Sequence, residues 1–432
     1  MSVRSWGNYP KVEHAAVIAQ PWRHLALPRG EGTLLPGGLA RSYGDSCLNE
    51  GGTLVTTTRL DHLIEFDRVA GILRCEAGIS LAQILELTVP AGWFLPVVPG
   101  TAFVTVGGAI ANDVHGKNHH AAGSFGSHVR RFELLRSDGA RLTCSPGENA
   151  ALFRATIGGL GLTGLITWAE VALRPVACAA FDVETIRMEN LAHFFELSKT
   201  GAEYSVAWID ALAKGGEIGR GIFMRANHAK AGAADAASTS GSKPRLAVPF
   251  DFPAATLNRH SVGLFNALYR ARAGSQWSQS SEPYGKYLFP LDSIGRWNRR
   301  YGKPGFVQHQ SVVPRADAPA KLAEMLAAIA ASGEASFLTV LKVFGDQPPA
   351  GLLSFARPGV TLALDLRMRG AATFELLERL DAVVRDAGGA IYPAKDARMS
   401  PATFRASFPN LDEFRAHVDP AFSSSFWRRV TR

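Results

Sequence analysis

The chain has 432 residues, 47% of them hydrophobic, and a mean hydropathy of +0.02. This length and composition predict a soluble globular protein with two domains. No run approaches the roughly 20 apolar residues of a membrane-spanning helix. The net charge of +8 favours anionic partners, but the absence of any block of consecutive Lys or Arg argues against nucleic-acid binding.

The N-terminus and the cysteines indicate the compartment. The first residues, MSVRSWGNYPKVEH, lack the apolar core of a secretory signal, so we expect a cytoplasmic protein. Cys47, Cys75, Cys144 and Cys178 are scattered and form no CxxC pair, which predicts reduced thiols instead of disulfides.

Residues 1–176 have the pattern of an α+β domain. Short β-like runs are separated by Gly-rich turns, and one helical stretch, SLAQILELTVPAG, stands among them. The β-like runs are GTLVTTT, GILRCEAG, FELLRSDGARLTC and GLITWAEVALRP. The pattern therefore predicts strands that alternate with glycine turns and a few helices.

The pattern changes near residue 176, and a second α+β domain is predicted over 177–394. Helical segments DAPAKLAEMLAAIAAS and ATFELLERLDAVVRDAG alternate with strand-like SFLTVLKVFG and VTLALDLRMRG. Residues 227–244 are rich in Ala, Ser and Gly and predict a mobile loop. Residues 395–432 have little core of their own, so we expect them to pack back on the first domain.

Four of the twelve histidines fall between residues 112 and 130, which raises the question of a metal site. His115 and His119 have the i, i+4 spacing that zinc ligands adopt on a helix. However, Gly116 and Asn118 lie between them, the segment has no Cys, and Asp113 is its one carboxylate. The pattern therefore favours a loop without a metal.

The glycines of this region are better organised than its histidines. LPGGLARSYGD (35–45) and VVPGTAFVTVGGAIANDVHG (97–116) each follow an apolar run, and the free N–H groups of such turns bind anions. Two such turns predict a dinucleotide. A third segment has Gly159, Gly161 and Gly164 in GxGxxG spacing, but a helical pattern precedes it and a β-like run follows, the reverse of a Rossmann NAD site.

These segments together resemble a known family over nearly the whole chain. GLARSYGD, VPGTAFVTVGGAIANDVHGKNHHAAGSFGSHVRRFELLRSDG, GGLGLTGLI, PLDSIGRWNRRYGKPGFVQHQSVVP, LKVFG and IYPAKDARMS stand in the order found in FAD-linked oxidases of the vanillyl-alcohol-oxidase type. The resemblance is strongest to the branch of decaprenylphosphoryl-β-D-ribose 2'-epimerase oxidative subunits. It implies a two-subdomain PCMH-type FAD-binding domain and an α+β substrate domain with an antiparallel sheet.

The resemblance implies specific cofactor-binding residues. The pyrophosphate would be held by Pro36, Gly37, Gly38, Leu39, Ala40, Arg41, Ser42, Tyr43, Gly44, Asp45 and Ser46. The rest of the flavin would be lined by Gly100, Thr101, Thr105, Val106, Gly107, Gly108, Asn112, Asp113, Val114, His115, Gly116, Lys117, Asn118, His119, Ile166 and Tyr392. Because Arg41 stands where many relatives carry a histidine that bonds FAD covalently, noncovalent FAD is implied.

The resemblance also implies where the substrate lies and which residues act on it. Gln308, Gln310, Lys342 and Lys395 match polar positions that face the substrate. Flavin-dependent alcohol oxidation needs a base for the hydroxyl proton. Lys395 is the first candidate and His115 the second, although Lys395 could instead remain charged and stabilise an anionic reduced flavin. Ala363 stands where mycobacterial members carry cysteine, which bears on inhibition by thiol-directed compounds and not on catalysis.

Three functions remain open at this stage. The branch implies oxidation of the 2'-hydroxyl of a polyprenylphosphoryl-β-D-ribose, completed to an epimerisation by a separate NAD(P)H-dependent short-chain reductase. A flavin oxidase of a soluble alditol, sugar or aldonolactone is the first alternative. A binding protein with the flavin fold and no turnover is the second. A lipid-linked substrate would also place the protein at the inner face of the membrane, with the apolar LAVPFDFP after the predicted loop as its contact.

Overall fold

The computed structural model describes residues 3–199, 201–230, 246–253, 256–274, 276–334 and 336–432. The predicted α+β class with an antiparallel sheet is confirmed. The predicted loop 227–244 lies largely outside the described residues. Its proposed start is wrong, because Asn227 and His228 are the last residues of a strand and pair with Asp182 and Phe181.

The N-terminal part is built on a three-stranded and a five-stranded sheet. A parallel sheet has the order β1 (Ala16–Ala19), β3 (Thr53–Thr56), β2 (Leu34–Gly37). An antiparallel sheet has the order β4 (Leu63–Asp67), β5 (Ile72–Glu76), β9 (Leu165–Ala172), β7 (Val129–Leu135), β8 (Arg141–Cys144). Strands β6 (Trp93–Phe94) and β10 (Arg174–Pro175) pair separately.

This part also contains four α-helices, α1 (Leu81–Thr88), α2 (Val106–Ala111), α3 (His119–Ala122) and α4 (Ala150–Thr156). The predicted helix SLAQILELTVPAG is α1. It begins at Ser80, whose hydroxyl accepts from the Gln83 backbone while the Gln83 side chain accepts from the Ser80 backbone, and this reciprocal capping stabilises the first turn. Leu81, Ile84 and Leu85 enter the core.

The second part is built on a sheet of eight strands in which every pair is antiparallel. Its order is β15 (Trp277–Pro283), β11 (Ala180–Met188), β13 (Gly221–His228), β12 (Tyr204–Ile209), β18 (Thr339–Phe344), β19 (Gly359–Arg367), β17 (Phe306–Val313), β20 (Ala390–Ile391). Strands β14 (Leu246–Ala247) and β16 (Ile294–Gly295) pair in parallel beside it.

Helices cover one face of the large sheet. They are α5 (Leu191–Leu197), α8 (Ala318–Ser332) and α9 (Ala371–Asp386), and their apolar sides share a core with every second residue of the strands. Leu362, Leu364 and Leu366 of β19 are all fully buried in this core. Because side chains alternate along a strand, the residues between them face the opposite side, toward the N-terminal part.

The C-terminal segment contains α10 (Pro401–Ser407), α11 (Leu411–Arg415) and α12 (Ser425–Val430). Phe422 packs with Leu34 and Val55 of the parallel sheet, whereas Phe404 and Phe426 join the core of the large sheet. The segment thus contacts both parts of the chain. Helices α6 (Arg259–Arg272) and α7 (Tyr284–Leu288) lie between β14 and β16 in the chain.

Candidate active site

A deep cavity lies between the N-terminal part and the uncovered face of the large sheet. Its walls come from the loop after β2, the segment around α2, the β17–β18–β19 face and the chain after β20. Twenty-five of the thirty-one predicted site residues line it. They are Pro36, Gly37, Gly38, Leu39, Ala40, Arg41, Ser42, Tyr43, Ser46, Gly100, Thr101, Thr105, Gly107, Gly108, Asn112, Val114, His115, Gly116, Lys117, Ile166, Gln308, Gln310, Lys342, Tyr392 and Lys395, counting His115 and Lys395 once each among cofactor, substrate and catalytic roles.

The loop after β2 carries free backbone donors at the cavity wall. The amide N–H groups of Leu39, Ala40, Arg41 and Ser42 make no hydrogen bond to any other residue in the described ranges. Ala40 has a left-handed backbone with φ of 51°, which turns successive N–H groups toward one side. The loop thus presents a row of unpaired donors suited to an anion.

Gly38 allows this loop to approach α2 closely. A Cβ at Gly38 would collide with the side chain of Thr105, and Thr105 is the residue whose Oγ1 accepts from the Gly108 amide at 3.1 Å at the start of α2. Gly100 lines the cavity from the other side, and a Cβ there would meet no atom within 4 Å. Gly38 therefore allows the close contact between the loop and α2, and Gly100 leaves space open in the cavity.

His115 lies at the junction of the two walls and is buried. The Gln310 Nε2 amide donates to His115 Nε2 at 2.9 Å, so the ring proton is on Nδ1, which has no partner among the described residues. Burial, helped by the positive charge of Lys342, holds the pKa of His115 well below its usual 6.5. His115 is therefore a neutral imidazole whose one acceptor is already occupied.

The alternation of side chains on the large sheet brings the predicted substrate residues together. Gln308 pairs in register with Asp365, and Gln310 pairs with Ala363. Lys342 of β18 pairs with Thr361 of β19. Because each lies one residue away from the leucine positions of the helix-covered face, their side chains point toward the cavity.

Three lysines line the cavity, and each has a lowered pKa. Burial lowers the pKa of Lys395 to about 7, with nearby Asp365 raising it and Lys342 lowering it further. Burial lowers the pKa of Lys342 to about 8. For Lys117, burial and then Lys342 lower the pKa to about 7. These amines can exchange protons near neutral pH, which a general base requires.

Aromatic rings hold two of the cavity cations in place. Lys395 Nζ lies 3.5 Å from the centre of the Tyr43 ring. The Arg41 guanidinium lies 4.1 Å from the centre of the Trp6 ring and 5.6 Å from that of Phe103. Such cation–π contacts replace part of the hydration that a half-buried cation loses.

Six predicted residues are not among those that line the cavity, and their contact with the flavin stays a prediction. Gly44 and Asp45 turn away beneath the loop: a Cβ at Gly44 would collide with the Asp396 carbonyl, and the Asp45 carboxylate accepts from Arg429 at 2.7 Å. Val106 is fully buried in the core behind α2.

The other three lie behind the histidine-rich wall. Asp113 accepts from the Gly126 amide at 2.9 Å and from the Ser354 hydroxyl at 2.5 Å. Asn118 donates to the Pro96 carbonyl at 2.8 Å, and His119 Nδ1 accepts from the Gly345 amide at 3.0 Å. Each of these buried polar groups fixes the loop from outside the cavity, because an unpaired one would cost stability.

The histidine segment does not gather metal ligands. No group of three or more His, Cys, Asp or Glu side chains with metal-binding geometry occurs in the part of the chain that the structure describes. His120 and His128 instead contact the Ala202 and Ala122 carbonyls, each at 2.8 Å.

The sequence analysis missed several lining residues. Leu160, Gly161 and Gly164 line the cavity; they stand in GGLGLTGLI, one of the motifs that carry the resemblance, but the prediction assigned them no role in the site. Asp292, buried beside Arg41, accepts from the Ala102 amide at 2.8 Å; it stands in the quoted segment PLDSIGRWNRRYG, which was the available signal. Trp6 had no sequence signal.

A further set of missed residues forms an apolar extension of the cavity. They come from the large sheet, from α6 and from the segment before β17, and a sequence without tertiary structure gives no reason to group them. They are Val206, Trp208, Met224, Tyr269, Leu288, Pro290, Leu291, Trp297, Leu338 and Val340.

Comparison with known proteins identifies the class. The family model described as an FAD binding domain matches residues 16–145, which include the loop after β2 and the α2 segment. The fold, the cavity and this match define an FAD-dependent oxidoreductase.

One relative is similar to this chain over nearly its whole length. The chain is 36% identical to decaprenylphosphoryl-beta-D-ribose oxidase of Mycolicibacterium smegmatis, over 96% of this chain and 92% of that protein. It therefore belongs to the family of FAD-linked oxidases that includes this enzyme, which confirms the resemblance of its motifs. Similarity to human Delta(24)-sterol reductase, 31% identical, covers 31% of this chain and 29% of that protein. Similarity to D-arabinono-1,4-lactone oxidase of Yarrowia lipolytica, 27% identical, covers 41% of this chain and 34% of that protein.

The residues present fit FAD. The unpaired amides of the loop after β2 suit a pyrophosphate, and the space beside Gly100 is open, since a Cβ there would meet no atom within 4 Å. Ile166 and Tyr392 line the same cavity, and the Tyr392 hydroxyl donates to the Asn112 carbonyl at 2.9 Å, which joins the chain after β20 to the end of α2.

Proposed function

We propose that this protein binds FAD noncovalently and oxidises the 2'-hydroxyl of a polyprenylphosphoryl-β-D-ribose to a ketone, the first half of an epimerisation to the arabinose form. The observation that carries the proposal is that Lys395, Lys342 and Gln310 line the same cavity as the glycine loops. The assignment of cofactor, substrate and catalytic roles to the lining residues is part of this proposal, as are the domain limits 1–176, 177–394 and 395–432.

FAD, when bound, accepts two electrons and a hydrogen from the carbinol carbon of the alcohol. The chain must supply the base that takes the hydroxyl proton. We assign this role to Lys395, because its pKa of about 7 leaves a free amine available near neutral pH. His115 is the weaker candidate, since its Nε2 already accepts from Gln310. Gln308 and Gln310 then orient the hydroxyl groups of the sugar.

The charge of the cavity favours an anionic substrate. Arg41, Lys117, Lys342 and Lys395 line it, and Asp292 is a carboxylate on the same wall. A phosphodiester between sugar and lipid matches this excess of cationic and protonatable groups over carboxylates. The apolar extension around Trp208, Tyr269 and Trp297 offers a path for the first isoprene units. Similarity over 96% of the chain to an oxidase of decaprenylphosphoryl ribose supports the same substrate class.

The experiment that tests the substrate is anaerobic flavin bleaching. The FAD-loaded protein is mixed with polyprenylphosphoryl ribose and, separately, with xylitol, sorbitol and galactonolactone. Fast loss of flavin absorbance with the lipid-linked sugar supports the proposal. Reduction by a free polyol or lactone, with none by the lipid-linked sugar, would assign the protein to the soluble-substrate oxidases, the alternative favoured by the similarity to D-arabinono-1,4-lactone oxidase.

The noncovalent attachment of FAD rests on Arg41, which has no nucleophilic atom available for a bond to flavin. Acid precipitation should release the flavin into the supernatant, where its absorbance is measured. Yellow colour that remains in the washed protein pellet would contradict the proposal. A protein that is colourless and takes up no added FAD would contradict the assignment of the cofactor residues as well.

The proposal includes two partners. A separate NAD(P)H-dependent short-chain reductase would reduce the ketone to complete the epimerisation. An anionic membrane surface at the inner face of the bilayer would supply the lipid substrate. None of the described helices combines the length and the apolar composition that crossing a bilayer requires, so the contact proposed is peripheral. Leu246 and Phe250 of the predicted contact segment LAVPFDFP are 75% and 60% exposed.

A further inference from the structure

The side chain of Arg41 contacts two aromatic rings at the wall of the cavity. Its guanidinium carbon is 4.1 Å from the centre of the Trp6 ring and 5.6 Å from the centre of the Phe103 ring. Arg41 and Trp6 both line the cavity. Stacking on an aromatic ring uses the flat face of a guanidinium and leaves the N–H groups along its edge available.

The edge of this guanidinium has no partner among the described residues. Within them, the Arg41 side chain makes no hydrogen bond and no ion pair, whereas the half-buried Arg429 donates to Asp45 at 2.7 Å. The Asp292 carboxylate acts on the charge of Arg41 without bonding to it, and its Oδ2 accepts from the Ala102 amide at 2.8 Å. A planar guanidinium with free edge donors is suited to the paired oxygens of a phosphate or a carboxylate.

Arg41 adjoins both the proposed base and the apolar extension of the cavity. It stands two positions before Tyr43, and Lys395 Nζ lies 3.5 Å from the centre of the Tyr43 ring. On the other side, the centre of the Trp6 ring is 5.7 Å from that of Trp297, a member of the apolar extension. In a polyprenylphosphoryl sugar, the phosphodiester joins the sugar to the lipid, so its place is at this junction.

We propose that Arg41 binds the phosphodiester of the lipid-linked substrate through the edge of its guanidinium, and that Trp6 and Phe103 hold the guanidinium for this contact. This inference rests on the proposed function in taking a polyprenylphosphoryl sugar as the substrate. The pyrophosphate of FAD is a second source of phosphate near this loop, but the unpaired backbone N–H groups of residues 39–42 suit it. A side-chain substitution at Arg41 leaves those N–H groups in place.

Two probes isolate the contribution of the phosphate. Farnesyl phosphate carries isoprene units and a phosphate without a sugar, and farnesol carries the same chain without the phosphate. Isothermal titration calorimetry on the FAD-loaded protein measures the affinity for each. In Arg41→Gln, the affinity for farnesyl phosphate should fall roughly 10- to 100-fold, because hydrogen bonds to a charged group are lost. The affinities for farnesol and for FAD should stay unchanged.

Further variants separate the charge, the stacking and the site. Arg41→Lys keeps the charge but loses the planar edge, so its affinity for farnesyl phosphate should lie between those of the wild type and Arg41→Gln. Trp6→Leu should weaken farnesyl phosphate binding more than farnesol binding, and Trp6→Phe should restore most of the loss, because it keeps a ring under the guanidinium. Arg68→Met is the matched control. The Arg68 guanidinium lies 5.7 Å from the centre of the Phe66 ring, outside the residues that line the cavity, so its loss should change neither affinity.

The outcomes separate this inference from the proposed function. Wild-type protein that binds farnesyl phosphate no more tightly than farnesol would overturn the phosphate site, as would an Arg41→Gln protein with wild-type affinity for farnesyl phosphate. Loss of FAD from Arg41→Gln would assign the side chain to the cofactor and also overturn the inference. If Arg41→Gln does not fold, Arg41→Lys is judged by the same criteria. Binding of farnesyl phosphate that depends on Arg41, without flavin bleaching by polyprenylphosphoryl ribose, would contradict the proposed oxidation and leave the phosphate site intact.

Discussion

At the scale of single residues, the chemistry of the cavity depends on which groups are neutral. His115 and Lys395 were both candidate bases, and the environment of each separates them. The His115 ring uses its Nε2 to accept from Gln310, whereas the amine of Lys395 has the Tyr43 ring as its neighbour. A base needs a free lone pair, which favours Lys395.

Replacing Lys395 tests this assignment. Lys395→Ala should slow flavin reduction by about 100- to 10,000-fold, the usual effect of losing a general base, while FAD stays bound because the loop after β2 is untouched. Stopped-flow absorbance measures the rate. Lys286→Ala, which removes an exposed lysine paired with Glu282, is the control and should leave the rate unchanged. Bleaching of Lys395→Ala at the wild-type rate would remove this residue from the mechanism.

The pH dependence of flavin reduction shows whether Lys395 acts as a neutral base or as a charged ammonium. A base acts in its neutral form, so the rate of flavin reduction should rise with pH and level off above the pKa of about 7. The profile should lose this rise in Lys395→Ala. A wild-type rate that falls as pH increases through 7 would mean that the charged ammonium is the active form, and that Lys395 stabilises a reduced anionic flavin.

At the scale of elements, the cavity depends on contacts that hold its walls in register. The loop after β2 touches the start of α2 at Gly38, and α12 contacts the short 3-10 helix Asp45–Cys47 that follows the loop. Arg429 of α12 donates to Asp45 at 2.7 Å and to Asp396 at 2.8 Å. The C-terminal helix therefore fixes both ends of the wall, the loop and the chain that carries Lys395.

Gly38→Ala should weaken FAD binding. The added Cβ would collide with Thr105, and relief of such overpacking costs about 1–3 kcal/mol, or roughly a 10- to 100-fold loss of affinity if the loop moves. Fluorescence titration of FAD into flavin-free protein measures it. Gly147→Ala adds a Cβ that meets no atom within 4 Å and serves as the control. Equal affinities in the two variants would contradict the role of this contact.

Arg429→Met should destabilise the protein and loosen the flavin. The substitution leaves the buried carboxylates of Asp45 and Asp396 without their shared cation, which costs about 3 kcal/mol of unfolding free energy. Urea denaturation gives the free energy, and release of FAD during the titration reports the loop. Arg415→Met removes an exposed arginine that pairs with Asp412 and should change stability little. A stability loss as small as that of the control would show that α12 does not secure the wall.

At the scale of the whole molecule, apolar side chains are exposed on elements whose inner sides line the cavity. Tyr269 of α6 lines the cavity, while Leu264 and Leu268 on its outer side are 63% and 62% exposed. Arg259 and Arg272 at the ends of this helix are exposed as well. An apolar helix face with basic ends is suited to an anionic bilayer surface.

Binding to vesicles tests this surface. The protein should sediment with phosphatidylglycerol vesicles, and the double substitution Leu264→Ser and Leu268→Ser should weaken binding roughly 100-fold or more, since each buried leucine contributes about 1.5–3 kcal/mol. The matched control is Leu63→Ser with Val69→Ser, which removes exposed apolar residues of the N-terminal part. Equal binding by both double variants would contradict docking through α6, and absence of wild-type binding would contradict the membrane contact altogether.

The sequence by itself determined the α+β class, the glycine loops and the family, because each is encoded in contiguous residues. The period-2 and period-3.6 patterns specify strands and helices locally, and the segment from Val97 to Arg130 is long enough to be specific. The same local pattern could not tell which residues of a wall face inward. Asp113, Asn118 and His119 stand among lining residues and yet point to the opposite side.

Only the tertiary structure brought together residues that are far apart in the chain. Asp365 and Gln308 meet because β17 and β19 pair in register. The Trp6 ring contacts the Arg41 guanidinium although the two residues are 35 positions apart in the chain. The apolar extension has the same origin, since its members come from several strands and from α6. Strand register, burial and the pKa shifts that follow from burial depend on the packed molecule, so a linear pattern of residue types does not contain them.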